Sequence, residues 1–267
     1  MSSPAYSSVT GRRPSSLDAS RFGNLATSMS GDFAIIGKRC GTDKVHQHGY
    51  YRFYPLYLER FRDVRDAGML EIGIDESHSL GLWLEYFPHA FVYGVDIGLC
   101  KEGERFKILQ ADQSRRSELE SIVESQIKHP IFFIIDDGSH IPEHQALSFD
   151  FLFSSLLQEG GVYIIEDIET SYWTRNGLYG YNTSYGYHHQ NSLLEIFKDL
   201  LDDLNVEFLN PKNRASQDRL MGGIFTARTR NDIASVTFGQ NCVIITKKTA
   251  EEHADFDGRR YRYAKNL

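Results

Sequence analysis

The chain has 267 residues, 41% of them hydrophobic and 24% charged, and a net charge of −7 with a sequence pI near 5.8. That is the makeup of one globular domain with extensions and a substantial core. The acidic balance argues against binding nucleic acid or an acidic membrane by charge, and no apolar run approaches the roughly 20 residues of a membrane span.

Three scattered cysteines, Cys40, Cys100 and Cys242, lack zinc-ligand spacing and are odd in number, which points to a reducing, cytoplasmic setting. Residues 1–32 are rich in serine, with Arg12, Arg13 and Arg21 and Asp18 as the acid before residue 32. They read as a disordered leader, with an organelle transit peptide as the alternative. Glycines in IIGKRCGTDK mark turns, and Tyr50 to Arg62 reads as an amphipathic helix with Pro55 in its first turn or at a bend.

From Met69 onward, strands and helices alternate. Strands are expected at Met69–Ile74, Phe91–Val95, Phe106–Leu109, Ile131–Ile135 and Gly160–Ile165, and helices at His78–Phe87, Ser117–Ile127 and Pro142–Leu157. A long loop rich in tyrosine and glycine runs to residue 190, and the helix Ser192–Leu204 follows. Arg219–Ala227 and Ser235–Lys248 read as the last strands, with a turn at Gly239-Gln240-Asn241; GRRYRYAKNL then forms a polar tail. Such alternation predicts an α/β three-layer sandwich around a mostly parallel sheet.

Two strand ends carry the chemistry. IFFII runs into Asp136-Asp137-Gly138-Ser139-His140, and GGVYII into Glu166-Asp167-Ile168-Glu169. A crossover helix between them puts both ends on one sheet edge, where ligands of open α/β sheets bind. So many carboxylates in one place need a cation. Asp137, Glu166 and Asp167 offer the oxygen donors a hard divalent ion takes, with Asp136 and Glu169 as alternates. His140 is placed to take a proton from a hydroxyl. The competing bland view makes Asp137 a helix cap and His140 a satisfied polar residue.

The first half reads as a nucleotide-type pocket, with Glu71 and Gly73 ending one strand and Asp96, an acceptor for ribose hydroxyls, ending the next. Asp75 and Glu76 would repel a pyrophosphate, which favours S-adenosylmethionine over NAD. Tyr172, Trp173, Tyr179, Tyr181, Tyr185 and Tyr187 would stack on a sugar or hold the long loop together. The pairs His46/His48 and His188/His189 read as surface residues or acceptor contacts.

With GTDK at Gly41–Lys44, LEIG at Leu70–Gly73, VYGVDI with Asp96, ADQS at Ala111–Ser114, IIDDGSH, GGVYIIEDIETSYW and VTFGQNCVIITKK, the chain resembles the Mg2+- and S-adenosylmethionine-dependent macrolide deoxysugar O-methyltransferases of the mycinamicin and tylosin type, over about residues 37–248. The resemblance implies a class I methyltransferase domain at 33–250 with a seven-stranded sheet and a C-terminal antiparallel hairpin. By that likeness Asp137, Glu166 and Asp167 bind Mg2+ and His140 is the general base. Gly41, Thr42, Lys44, Glu71, Gly73, Asp96, Asp112, Gln113 and Asp136 belong to the cofactor pocket.

Two departures stand out. Asp75-Glu76-Ser77-His78 replaces a glycine-rich insertion, and the chain is expected to lack the extra N-terminal domain of the mycinamicin type. The expected activity is methyl transfer to a small-molecule hydroxyl on a sugar or polyol in secondary metabolism, with no nucleic-acid or membrane partner and homo-oligomerisation left open. Rival readings are a methyltransferase-like hydroxylase and a catalytically silent cofactor-binding scaffold.

Overall fold

In the computed structural model of the protein, residues 31–174, 183–221 and 223–259 are described; the serine-rich leader, up to residue 30, lies outside them. Residues 31–40 are helical (α1). After α2 (Asp43–His46), the stretch Tyr50–Arg62 read as one amphipathic helix is instead broken into a 3-10 turn Tyr50–Arg52, α3 (Tyr54–Leu58) and a second 3-10 turn Glu59–Phe61. Pro55 lies in the first turn of α3, where its missing N–H costs nothing.

The central unit follows the expected alternation: β1 (Gly68–Ile72), α4 (His78–Tyr86), β2 (Phe91–Asp96), β3 (Lys101–Gly103), β4 (Phe106–Gln110), α5 (Arg116–Ser125), β5 (Ile131–Asp136), α6 (Pro142–Ser155) and β6 (Leu157–Glu166). After a 3-10 turn (Ile168–Tyr172) come α7 (Leu193–Leu204), α8 (Pro211–Met221), α9 (Ala227–Asp232), β7 (Ile233–Gly239), β8 (Cys242–Lys247) and α10 (Ala250–Arg259).

Among the described residues the strands form one eight-stranded sheet in the order β3-β4-β2-β1-β5-β6-β8-β7. Strands β4, β2, β1, β5 and β6 run parallel, β8 and β7 return antiparallel as the hairpin, and β3 adds an antiparallel edge to β4. That edge strand is the eighth. Its residues, Lys-Glu-Gly, carry no apolar alternation that would have announced it.

Arg219–Ala227 is not a strand. Its ends belong to α8 and α9, and Thr226 caps α9 by accepting from the Thr229 amide. The apolar residues that suggested a strand do a different job: Phe225 is buried as a loop plug, 5.1 Å from the Phe149 ring. The start of the polar tail, through Arg259, belongs to α10.

Strand order reverses between β1 and β5, and this switch point positions the site. All five residues of β1 are buried because helices cover both sheet faces. Leu70 and Ile72 face the cluster built by α5, α6 and α7, whereas Met69 packs with Trp83, Tyr54 and Phe33 on the other side. Among the described residues no helix is long and apolar enough to cross a membrane.

Candidate active site

Side chains alternate across a strand, so consecutive acids at a strand end are sorted to opposite faces. Asp136 turns toward α6, where Gln113 Nε2 donates to its oxygens at 2.6 and 2.7 Å and Ser148 Oγ donates at 2.6 Å. Burial pushes the Asp136 carboxyl up to about 6, against the pull of Ser148 and Gln113. Asp137 falls on the opposite face, so geometry makes the choice that adjacency in the sequence left open. Glu166, the last residue of β6, lies on that same face, because Lys44 Nζ bonds Asp137 Oδ2 at 2.5 Å and Glu166 Oε2 at 2.9 Å. The Lys44 ammonium thus lies between Asp137 and Glu166, and the donor group that comes within 4.8 Å, Asp137, His140 and Asp167, does not include Glu166.

Asp167 would be sent to the far face by simple alternation. Its φ of +53° turns it back instead, a left-handed backbone that non-glycine residues adopt at a cost. The Tyr50 hydroxyl (2.9 Å) and Asn241 Nδ2 (2.8 Å) both donate to Asp167 Oδ1. His140 shares the left-handed conformation at φ +53°, and its Nε2 is 3.9 Å from Asp167 Oδ2. One ligating atom each from Asp137, His140 and Asp167 lie within 4.8 Å of one another.

The electrostatics are severe. Glu71, Glu166 and Lys44 are shut off from solvent, and Glu71 Oε1 is 3.3 Å from the ammonium. For Lys44, burial works against the charged form, but Asp137, Glu166 and Glu71 outweigh it and hold the ammonium protonated. Burial raises Glu166 well above the carboxylate range, with Asp137 adding to it and Lys44 opposing. Asp137 is raised by burial too, against Lys44 and His140. One ammonium therefore does not satisfy these acids. Carboxylate oxygens that remain under-compensated form the donor set a hard divalent cation takes.

Next to this cluster opens a cavity of about 920 Å3, lined by Gly41, Thr42, Gly73, Asp96, Asp112, Gln113, Asp137, His140 and Asp167 among others. Such a volume suits a nucleoside-sized ligand together with part of a second one. Gly73 has φ +82°, and a Cβ there would overlap the Asp137 carbonyl, so the end of β1 is packed directly on the loop after β5. Asp96 accepts from the amides of Gly98 (2.8 Å), Leu99 (2.9 Å), Ile74 (3.1 Å) and Asp75 (3.4 Å). Burial opposes ionisation there, but these amides win and hold its carboxyl below the usual range. Asp112 is lowered by hydrogen bonds from the Ser114 hydroxyl and amide. The short Asp75–His78 loop uses left-handed backbone at Asp75 (φ +41°) and Ser77 (φ +66°).

Three residues expected in the cofactor pocket are not in its wall. Lys44 and Glu71 form an internal ion pair, with Ser79 Oγ (2.7 Å) and Trp83 Nε1 (2.9 Å) donating to Glu71 Oε2. Asp136 is committed to Gln113 and Ser148 on the other face of the sheet. Strand alternation points Glu71 and Asp136 into protein, and Lys44 is pointed there from helix α2.

Of the alternates, Glu169 stands outside the clustered donors and Asn241 Oδ1 accepts from its amide. The residues that sequence reasoning missed are those that clamp the acids. Tyr54 donates to Glu166 Oε1 at 2.5 Å, and its ring stacks on Tyr50 at 5.1 Å. His48, stacked in turn on Tyr50, has Nδ1 3.4 Å from Asp167 Oδ1. His46 points away toward the Lys38 carbonyl. Of the loop aromatics, Tyr172 stacks with Tyr187 at 5.7 Å and Tyr185 with His189 at 4.6 Å, while His188 is exposed beside Glu195. Tyr179 and Tyr181 lie outside the described residues.

No family model matches the sequence. The chain is 33% identical over 231 residues to 8-demethyl-8-alpha-L-rhamnosyl tetracenomycin-C 2'-O-methyltransferase of Streptomyces olivaceus, covering 82% of this chain and 56% of that one. It is 30% identical to mycinamicin VI 2''-O-methyltransferase of Micromonospora griseorubida, covering 71% and 48%. This chain is a homologue of sugar O-methyltransferases. It spans about half the length of the curated relatives it matches. A solved methyltransferase of the mycinamycin biosynthetic pathway, in complex with Mg and SAH, superposes with a TM-score of 0.67 at 26% identity, over 83% of this chain and 55% of that one. The fold is accordingly that of the class I methyltransferases, with the antiparallel hairpin at its end.

Proposed function

We propose that the chain transfers the methyl group of S-adenosylmethionine to a hydroxyl of a sugar or polyol, with a divalent cation, Mg2+ by its all-oxygen donors, at the acidic cluster. The observation that carries this is the convergence of Asp137, His140 and Asp167 within 4.8 Å on the wall of a cavity that Gly73 and Asp96 also line. The relatives' names, sugar 2'- and 2''-O-methyltransferases, support the acceptor class.

Asp137, Glu166 and Asp167 would hold the ion. When bound, it supplies positive charge that favours the ionised form of a neighbouring hydroxyl and fixes a vicinal diol. Gly41, Thr42, Gly73, Asp96, Asp112 and Gln113 would line the cofactor, with the ribose at Asp96. His140 takes the proton from the acceptor hydroxyl; that oxygen then attacks the methyl carbon as the carbon–sulfur bond breaks, leaving an ether and the thioether product. The protein's contribution is orientation plus charge placed where the alkoxide develops. Residues 33–250 would constitute this methyltransferase domain, acting in the cytoplasm on a free small molecule.

The test is transfer of isotope-labelled methyl from S-adenosylmethionine to a panel of deoxysugar glycosides, with and without Mg2+. Label is expected on a glycoside hydroxyl only with the cation present. Asp137→Ala is expected to lose turnover while still binding S-adenosylhomocysteine. Full turnover in excess chelator, or in Asp137→Ala, rejects the metal assignment.

A further inference from the structure

One buried charge has no part in the chemistry above. Lys44 is wholly enclosed and does not line the cavity. Its ammonium contacts Asp137 at 2.5 Å, Glu166 at 2.9 Å and Glu71 at 3.3 Å, so it joins acids from the ends of β5, β6 and β1. Its helix, α2, is four residues long, and Thr42 makes no side-chain cap to it. So short a helix has no stability of its own, and the placement of Lys44 comes from these ion pairs and the packing of Val45. Burying an ammonium is costly and is retained only where close counter-charges repay it. Without Lys44, Glu71, Asp137 and Glu166 would face one another at the switch point with no fixed positive charge among their hydrogen-bond donors.

We propose that Lys44 is the permanent counter-ion of the acidic site: its ammonium neutralises Asp137 and Glu166 while no divalent cation is bound, and the cation shares that work once it arrives. The inference rests on the metal site proposed above, and it predicts an exchange. Where the ammonium is missing, the divalent cation must take over part of its stabilising work. A lysine that merely filled space would give no such exchange, because its loss would cost the same with and without metal.

The experiment compares wild type with Lys44→Met, which keeps the length of the side chain and removes the charge. Thermal unfolding is followed in excess chelator and in saturating Mg2+, and Mn2+ binding is read separately by EPR. Lys44→Met is expected to lose roughly 10 °C in chelator, from the usual cost of orphaning buried charge spread over a domain of this size. Mg2+ should restore more than half of that loss, a larger rise than wild type shows. Equal losses in chelator and in Mg2+, or no loss in chelator, overturn the proposal.

If Lys44→Met does not fold, Lys44→Met with Glu71→Gln removes one positive and one negative charge together. That pair is expected to fold and to keep the enlarged Mg2+ response; its failure to fold also overturns the proposal. Wild type that binds no Mn2+ would instead reject the metal site itself, with Lys44 reduced to a structural ion pair. The two failures are therefore distinguishable.

Discussion

The Tyr54 hydroxyl donates to Oε1 of Glu166 at 2.5 Å, and both side chains are buried. Tyr50, stacked on Tyr54 at an interplanar angle of 6°, makes the matching bond to Asp167 Oδ1 at 2.9 Å. Two stacked rings thus fix two consecutive acids, each by one phenolic hydrogen. Groups that orient metal ligands from behind are worth about 10–100-fold in affinity. Tyr54→Phe should therefore weaken Mn2+ binding by about that factor. The ring still fills its space, so the fold should lose only the hydrogen bond, about 1–3 kcal/mol with an orphaned carboxylate oxygen. A Mn2+ titration that matches wild type would remove Tyr54 from the site.

The parallel core and the two acidic strand ends were legible because fully buried strands write themselves as short apolar runs, IFFII and VYII. The side on which each acid falls was not legible. Asp136 and Asp137 are separated only by strand pleat, and Asp167 reaches the same side as Glu166 only through its left-handed φ. Both are facts of backbone conformation that residue identity does not encode. Lys44 belongs to the cofactor pocket by the resemblance carried in GTDK, yet one turn of helix points its ammonium into the carboxylates. Tyr50 and Tyr54 read as the apolar face of a helix. Their rings are core, while their hydroxyls belong to the site, the same division of labour that Trp83 shows with its Nε1 on Glu71.

His140 Nε2, 3.9 Å from Asp167 Oδ2 on the cavity wall, is the proton acceptor in the scheme proposed. Positioned bases contribute about 100- to 10,000-fold. His140→Ala should lower kcat within that range and leave the affinity for S-adenosylhomocysteine within about twofold, since the cofactor side of the cavity is built by other residues. Added imidazole should recover part of the rate. Steady-state kinetics with an unchanged kcat would rule out the assignment.

Asp136 supplies a pH test of the fold that is independent of turnover. Its carboxyl stands near 6 because burial disfavours the charge, whereas in the unfolded chain it titrates near the ordinary Asp value of about 3.9. A raised folded value means that the native state binds the proton more tightly. The stabilisation is therefore complete below about pH 4 and is lost as pH rises through about 6. Asp136→Asn cannot ionise and escapes that loss. Relative to wild type, the variant should gain up to about 3 kcal/mol of unfolding free energy between pH 4 and pH 7. Urea unfolding at several pH values measures this difference, and a difference that stays flat with pH would contradict it.

Asp96 closes β2 and is already bound by four backbone amides, two from the loop after β1 and two from its own turn. It ties the Ile74–Asp75 backbone to the second strand and presents its carboxylate to the cavity in the same arrangement. An Asp96→Ala variant would lose both the anchor and the acceptor for the ribose hydroxyls. Hydrogen bonds to a charged group are worth about 1.5–3 kcal/mol, which corresponds to roughly 10–100-fold in S-adenosylhomocysteine affinity by calorimetry. Asp96→Asn keeps one acceptor oxygen for the loop and gives up the charge, so its affinity should fall between those of wild type and alanine. If both variants bind S-adenosylhomocysteine as tightly as wild type, the ribose does not sit at Asp96. The cofactor would then have to occupy the cavity in another orientation.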